Sequence, residues 1–150
     1  MQSSPDQLPP HFLLIMPALS VGFFCFMSYL SSVISGWHKL SQRFFTQSEP
    51  YGATRSAGPF FFAVYMRYWT HYSWAIHMTA GDDALYLSVY FLLRVGHPPL
   101  RIPWSEITIA RTKNVWQQFI LLTLGEQERI PMRISERMAE KLGILDRVAN

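Results

Sequence analysis

The chain has one cysteine among its 150 residues, Cys25, and it lies within an apolar stretch. A single thiol cannot form an intramolecular disulfide or a cysteine-based metal site. Charge is also scarce, since Asp, Glu, Lys and Arg make up 15% of the residues, against about 25% in typical soluble domains. Neither G-x-G-x-x-G nor G-x-x-x-x-G-K-[ST] occurs. These absences argue against a disulfide scaffold and against a nucleotide-binding loop.

An apolar run from Phe12 to Ile34 contains 23 residues and no charged side chain. A helix of that length spans about 34 Å, enough to cross a hydrocarbon layer of about 30 Å. We therefore predict a transmembrane helix over residues 12–35, preceded by a disordered tail over residues 1–11. The alternative is a signal peptide cleaved before Gly36. The length of the run and the lack of a basic n-region and of an A-x-A site argue against cleavage.

The basic residues are distributed asymmetrically around this stretch. All 13 Lys and Arg residues follow it, beginning at Lys39. By the positive-inside rule, the segment that carries basic residues close to a membrane helix stays in the cytoplasm. We therefore expect a single-pass integral membrane protein in the lipid bilayer, with its N-terminus outside and its C-terminal domain cytoplasmic.

Residues 36–58 are predicted to form a juxtamembrane helix and a linker. Trp37, Leu40 and Phe44 recur at the spacing of one helical face. A tryptophan beside basic residues is typical of the membrane interface, so we predict that Trp37, Lys39 and Arg43 are membrane-interface residues. The segment could be a short amphipathic helix lying on the bilayer, or the spanning helix could run on for two or three turns. The residues that follow are rich in Pro, Gly and Ser, which favours a linker.

Residues 59–150 have the pattern of a β domain. Alternating apolar and polar residues, separated by turn signals, predict about six short strands in an antiparallel meander. Ser135 is a suitable N-cap for a terminal helix. Gly143 could be a left-handed C-cap with Ile144 packing back, or the helix could continue to Val148. The predicted strands are Phe60–Trp69, Tyr72–Thr79, Ala84–Val95, Ser105–Thr112, Val115–Leu124 and Arg129–Ile134, with Leu100–Trp104 as a short edge segment.

Three segments carry a resemblance to a known family: Ala84–Leu87, the stretch Leu100–Ile107 that reads L-R-I-P-W-S-E-I, and the helix that begins at Ser135. Their succession resembles the membrane-anchored bacterial pleckstrin-homology-like proteins. The resemblance covers about residues 60–145. It implies an α+β fold in which a curled antiparallel sheet, or partly open barrel, is closed by a C-terminal helix. It also implies a binding role, but no ligand residues carry over.

The residues that could support chemistry do not form a recognisable pattern. His71 and His77 are about 20 Å apart if the strand between them is extended, too far to share a metal ion. Asp82 and Asp83 are explained by a turn. Glu106 could accept a hydrogen bond from a backbone N–H and fix a bend. We therefore predict no enzymatic activity, no catalytic residue, no cofactor, no metal and no small-molecule substrate. The scattered basic residues also predict no nucleic-acid binding.

Arginines near strand ends are the remaining binding signal. Arg94, Arg101 and Arg111, with Arg129 and Arg133, could gather on one face and lie against anionic headgroups. Alternatively, they are solvated charges that discourage edge pairing of strands.

Together these patterns predict a membrane-anchored binding or scaffold module with a protein partner. Its groove or sheet edge would take an extended peptide. One alternative is a structural accessory subunit of a larger membrane complex, in which strand Phe60–Trp69 pairs with another chain. Another is a small-ligand sensor that uses the barrel interior.

Overall fold

The structure, a computed structural model, describes residues 10–48, 50, 52, 54–57, 64–67, 70–72, 75–113 and 118–147. It has an α+β fold with one long apolar N-terminal helix, two antiparallel sheets and a C-terminal helix. Residues 1–9 of the predicted tail and parts of the predicted strands Phe60–Trp69, Tyr72–Thr79 and Val115–Leu124 lie outside the described residues.

The first helix, α1, runs from Pro10 to Ser35. Its segment Leu14–Ser35 is long and apolar enough to cross a membrane, and little of it is buried inside the protein. Large apolar side chains therefore point outward, and Leu14 and Phe23 are 76% and 67% exposed. The predicted helix over residues 12–35 is confirmed as one continuous helix that begins two residues earlier.

Gly36 ends α1 and turns the chain. Its φ is +85°, in the left-handed region that a residue with a Cβ adopts only at a cost. A second helix, α2, then runs from Trp37 to Phe44. The ring of His38 packs edge-on against that of Tyr29, with the ring centroids 5.9 Å apart. The alternative in which α1 simply runs on for further turns is therefore wrong.

The apolar face of α2 packs into the β domain. Trp37, Leu40 and Phe44 share one helical face, as the spacing predicts, and all three are buried in the same cluster as the strand residues. Because this face is covered by protein, it is not available to lie on a bilayer. Lys39 and Arg43 are exposed on the outside of the helix.

The strands form two sheets rather than one meander. Within the described residues there are nine strands, and all pairings between them are antiparallel. The first sheet has the order β1 (Arg55–Ala57), β4 (Ile76–Ala80), β5 (Ala84–Val89), β6 (Leu100–Pro103). The second has the order β3 (Thr70–His71), β2 (Val64–Met66), β9 (Ile130–Ser135), β8 (Gln118–Leu124), β7 (Ile107–Lys113).

Two strand pairings join segments that are distant in the sequence, so turn signals between neighbouring strands do not predict them. β1 lies in the segment predicted as a linker and pairs with β4, so that Ala57 stands opposite Met78. β2 pairs with β9 near the other end of the chain, so that Val64 stands opposite Ile134. Both depend on contacts between distant residues, and these do not show in local sequence pattern.

The predicted strand over Ala84–Val95 is too long. Leu85, Leu87 and Val89 are buried on one face, as the alternation predicts. The ladder to β4 ends at the pair Ile76–Val89, and a 3-10 turn follows over Phe91–Leu93. Phe91 is 66% exposed instead of continuing the buried face.

The C-terminal helix, α3, covers Glu136–Lys141, and both of its ends are capped. The N–H of Met138 donates to the Ser135 hydroxyl over 3.3 Å. The N–H of Gly143 donates to the Glu140 carbonyl over 2.9 Å, and the N–H of Ile144 donates to the Ala139 carbonyl over 2.8 Å. Gly143 has φ +67°, so this is a Schellman motif. The predicted cap is confirmed, and continuation to Val148 is wrong.

Apolar side chains from both sheets fill the interior. Leu85 and Ile102 of the first sheet and Leu122 and Ile134 of the second have no exposed surface and belong to one cluster with α2. The two sheets and α2 therefore share one apolar core.

Candidate functional site at the junction of the long helix and the β domain

The three predicted binding-face arginines lie on three different elements. Arg94 follows the 3-10 turn, Arg101 lies on β6, and Arg111 lies on β7 in the other sheet. Arg101 forms an ion pair with Asp83 and donates to the Tyr86 hydroxyl over 3.3 Å. The hydrogen bond from Arg101 lowers the pKa of Asp83 below its ordinary value. A shared face for these arginines stays a prediction.

One predicted membrane-interface residue, Arg43, and one predicted binding-face residue, Arg101, lie beside the same cavity. Arg43 and Arg101 line the same open cavity of about 420 Å³, together with Thr46 and Ser48. Arg43 also pairs with Glu106 and Glu128. Because carboxylates already hold both arginines, the positive charge offered to an anion at this cavity is partly compensated.

Glu106 has the structural role that its position between two extended segments suggested. Its Oε2 accepts from the N–H of Glu126 over 2.9 Å. Together with the Arg43 ion pair, this bond ties the β6–β7 bend to α2 and to the turn after β8.

A row of serines joins α1 to the β domain. Ser28, Ser32 and Ser35 are buried positions on an otherwise exposed helix, and their spacing of four and three places them on one face. The Ser28 hydroxyl donates to the carbonyl of Val95 over 2.8 Å. The Ser32 hydroxyl donates to the carbonyl of Gly96. The last two turns of α1 are therefore bonded to the segment that connects β5 to β6.

Gly96 allows this close contact. Its φ is +81°, and a Cβ at this position would lie 3.0 Å from the Cα of Tyr29 and 3.3 Å from the Cβ of Ser32. A side chain would thus push the loop away from the backbone of α1 and stretch the serine hydrogen bonds.

A buried tyrosine–histidine pair lies beneath the serines. The Tyr72 hydroxyl is 2.7 Å from Nε2 of His97 and 2.9 Å from the Ser35 hydroxyl. Nδ1 of His97 is 3.1 Å from the carbonyl of Leu93. The Tyr72 hydroxyl donates its one proton to the Ser35 hydroxyl, and the imidazole donates from Nδ1 to the Leu93 carbonyl.

Burial sets the ionisation of both residues. Loss of solvent lowers the pKa of His97, although the Val95 and Leu93 carbonyls oppose this shift. Burial also raises the pKa of Tyr72, against the opposing hydrogen bonds of Ser31 and Ser35. Both shifts favour the neutral forms of the two side chains.

Trp37 lies at the centre of the junction. Its indole N–H donates to the carbonyl of Pro98 over 2.9 Å, and its ring lies edge-on to His97 at 5.4 Å. None of the side chain is exposed. The prediction placed Trp37 against lipid headgroups, but the structure makes it a core residue whose polar group is satisfied by protein.

The side chains at this junction connect α1 to the β domain. A cavity of about 330 Å³ lies beside it, lined by Ser28, Ser31, Thr70, His71, Tyr72, Ala75, Leu93 and His97. The hydrogen bonds of Tyr72 and His97 run to α1 and to the Leu93 carbonyl, so both side chains hold the domain against the helix. In the described part of the chain, no three His, Cys, Asp or Glu side chains are grouped so that they could hold a metal.

Sequence reasoning missed this junction, although one signal for it was present. Ser28, Ser31, Ser32 and Ser35 interrupt an otherwise apolar run. Comparisons of the chain with protein-family models, with curated proteins and with solved structures found no match. The function is therefore inferred from the geometry of the chain itself.

Proposed function

We propose that this chain is a non-enzymatic, membrane-anchored binding or scaffold module. In this proposal α1 crosses the bilayer once, its N-terminus is outside, and the β domain lies at the cytoplasmic face. The observation that carries the proposal is the buried junction of Ser28, Ser32, Ser35, Trp37 and His97. Because this junction packs the domain onto the end of α1, the domain would be presented to partners in one orientation.

A pleckstrin-homology-like fold is part of the proposal. Its support is the combination of two antiparallel sheets, a shared apolar core and the capped helix α3. A fold of this type would suit binding at a membrane surface, which agrees with the proposed anchor.

The surface that best suits a protein partner is the edge strand β7. In the described part of the chain β7 pairs with β8 on one side and with no strand on the other. Thr108 and Ala110 are exposed along it. An extended peptide could add to this edge through main-chain hydrogen bonds. Confinement by α1 would raise the local concentration of domain and partner.

The alternative is a structural accessory subunit of a larger membrane complex. The predicted strand Phe60–Trp69 was expected to pair with another chain. Its described part, β2, already pairs with β3 on one side and with β9 on the other. A subunit contact would therefore also use β7. The alternative differs in that its partner would stay bound through purification in stoichiometric amount.

A photo-crosslinking amino acid in place of Ala110 in the full-length chain tests the proposal in native membranes. The matched control places it at Gln127, an exposed residue in the turn after β8. We expect a discrete adduct with a protein at position 110 and none at 127. No adduct at 110, or equal labelling at both positions, would contradict edge binding. A reporter at Asn150 that is accessible from the outer side would contradict the proposed orientation.

A further inference from the structure

Exposed apolar side chains are concentrated in one loop of the β domain. Outside α1, four large apolar residues stand out as exposed in the described part of the chain: Phe45, Tyr90, Phe91 and Val95. Three of these lie within residues 90–95, which follow β5 and are called here the 90–95 loop. Tyr90, Phe91 and Val95 are 53%, 66% and 44% exposed. Grouping of such residues marks a contact surface more strongly than their scattered occurrence does.

The loop is fastened to the flank of α1. The Ser28 hydroxyl lies 2.8 Å from the Val95 carbonyl and 3.3 Å from the Leu93 carbonyl. One turn further along α1, Ser32 bonds to Gly96, the residue that follows the loop. The position of the loop along α1 is therefore set by hydrogen bonds at two successive turns.

The length of α1 allows these contacts to lie at the edge of the hydrocarbon layer. The helix has 26 residues and is about 39 Å long, which exceeds the hydrocarbon thickness by about 9 Å, or about six residues. With Pro10–Tyr29 in the hydrocarbon, Leu30–Ser35 emerge on the domain side. Ser28 then lies at the boundary, and the loop bonded to it lies at the same level.

We propose that the 90–95 loop is a second membrane contact. It binds lipid of the leaflet on the domain side, where α1 leaves the bilayer. The rings of Tyr90 and Phe91 and the side chain of Val95 enter the boundary between headgroups and acyl chains. Aromatic side chains are favoured at that depth. The exposed Arg94 lies beside lipid phosphate, to which a guanidinium donates hydrogen bonds. The inference rests on the proposed function, because it requires α1 to span the bilayer.

Site-directed spin labelling of the full-length chain in phospholipid bilayers tests this contact. Cys25 is replaced by Ala, and single cysteines are placed at Phe91, Val21 and Thr108, all of them exposed. The readout is the relative collision rate of each label with lipid-soluble oxygen and with a water-soluble nickel chelate. We expect the label at 91 to favour oxygen several-fold more than the label at 108 does, and less than the label at 21 in mid-helix.

The three labels separate failure of this inference from failure of the proposed function. If the label at 21 lies in lipid but the label at 91 is as accessible to water as the label at 108, the loop contact alone is overturned. A label at 21 in water would overturn the membrane span as well. Spin–spin broadening at 91, removed by dilution with unlabelled chain, would show that a second copy covers the loop and would also overturn the lipid contact. A conservative Phe91→Trp variant should show fluorescence quenching by brominated lipid if the loop enters the bilayer.

Discussion

Gly36 determines how the long helix meets the β domain. A Cβ at this position would lie 2.6 Å from Cδ1 of Ile130, and the residue has φ +85°. Gly36→Ala therefore combines a left-handed backbone penalty with overpacking. We expect it to lower the free energy of unfolding by about 2–4 kcal/mol, measured by denaturant titration of the full chain in detergent.

Gly22→Ala is the matched control, because a Cβ there meets no atom within 4 Å and the position lies inside α1. We expect no loss of stability and a gain of up to about 1 kcal/mol, because alanine is favoured over glycine inside a helix. Equal losses for the two variants would show that the turn at Gly36 is not a specific requirement of the fold.

His97 gives the junction a pH dependence. Its pKa is lowered in the folded protein because burial disfavours the charged ring. Below its ordinary pKa of about 6.5, the unfolded chain therefore binds more protons at this residue than the folded chain. We expect stability to fall as the pH drops from about 7.5 to about 5.5, as followed by chemical denaturation at each pH.

His97→Gln should flatten this decline, whereas His38→Gln, a change at a partly exposed ring on α2, should preserve it. A decline of the same steepness in the His97 variant would assign the pH dependence to other groups.

Local signals were sufficient at some residues but not at others. Ser135 was predicted correctly as an N-cap, and the Gly143 cap was one of two alternatives that the sequence left open, because a helix cap depends on residues within one turn. Trp37 was misplaced because an aromatic residue beside Lys39 fits a membrane interface as well as it fits a domain core. The pairing of Tyr72 with His97 could not be predicted, since it depends on where residues 25 positions apart meet.

At the level of elements, α2 is a part of the domain core. Leu40 has no exposed surface, whereas its neighbour Lys39 points to solvent. We expect Leu40→Ala to destabilise the protein by about 2–5 kcal/mol through lost burial and a cavity. Lys39→Ala should change stability by less than about 0.5 kcal/mol, and thermal unfolding of both variants in detergent checks the difference. Similar small effects would mean that α2 is a surface helix.

Element boundaries followed the sequence where pairing was local. β7 and β8 are consecutive antiparallel strands, and their described ends agree with the predicted strands Ser105–Thr112 and Val115–Leu124 to within about three residues. β1 was missed because its three residues form a strand only through β4. The predicted strand Ala84–Val95 was too long: its pairing with β4 ends at Val89, and the Leu93 and Val95 carbonyls accept from Ser28 of α1.

At the level of the whole molecule, the domain should depend on the segment next to the long helix. A chain that begins at Thr46 lacks three buried residues of the core: Trp37, Leu40 and Phe44. We expect that truncated chain to be unfolded or aggregated, as judged by circular dichroism and size-exclusion chromatography. A chain that begins at Gly36 keeps these residues and should be markedly better folded. A monomeric, cooperatively folded product from Thr46 would contradict a core that includes α2.

The sequence showed the apolar helix and the β character, because these depend on composition and alternation. It did not show how the two parts join. A juxtamembrane helix and a linker were predicted over residues 36–58, where the structure has a turn, a helix buried in the domain core and a short strand. The junction is therefore the feature that distinguishes a domain packed onto α1 from one that is loosely tethered.

Hydrogen exchange of the full-length protein in lipid nanodiscs, followed by mass spectrometry, tests this distinction most directly. Our account predicts that amides of α2 and of the 90–96 segment exchange as slowly as the central strands β5 and β8, while α1 is protected throughout. Rapid exchange across residues 37–44 beside a protected β core would show a flexible tether and contradict the account.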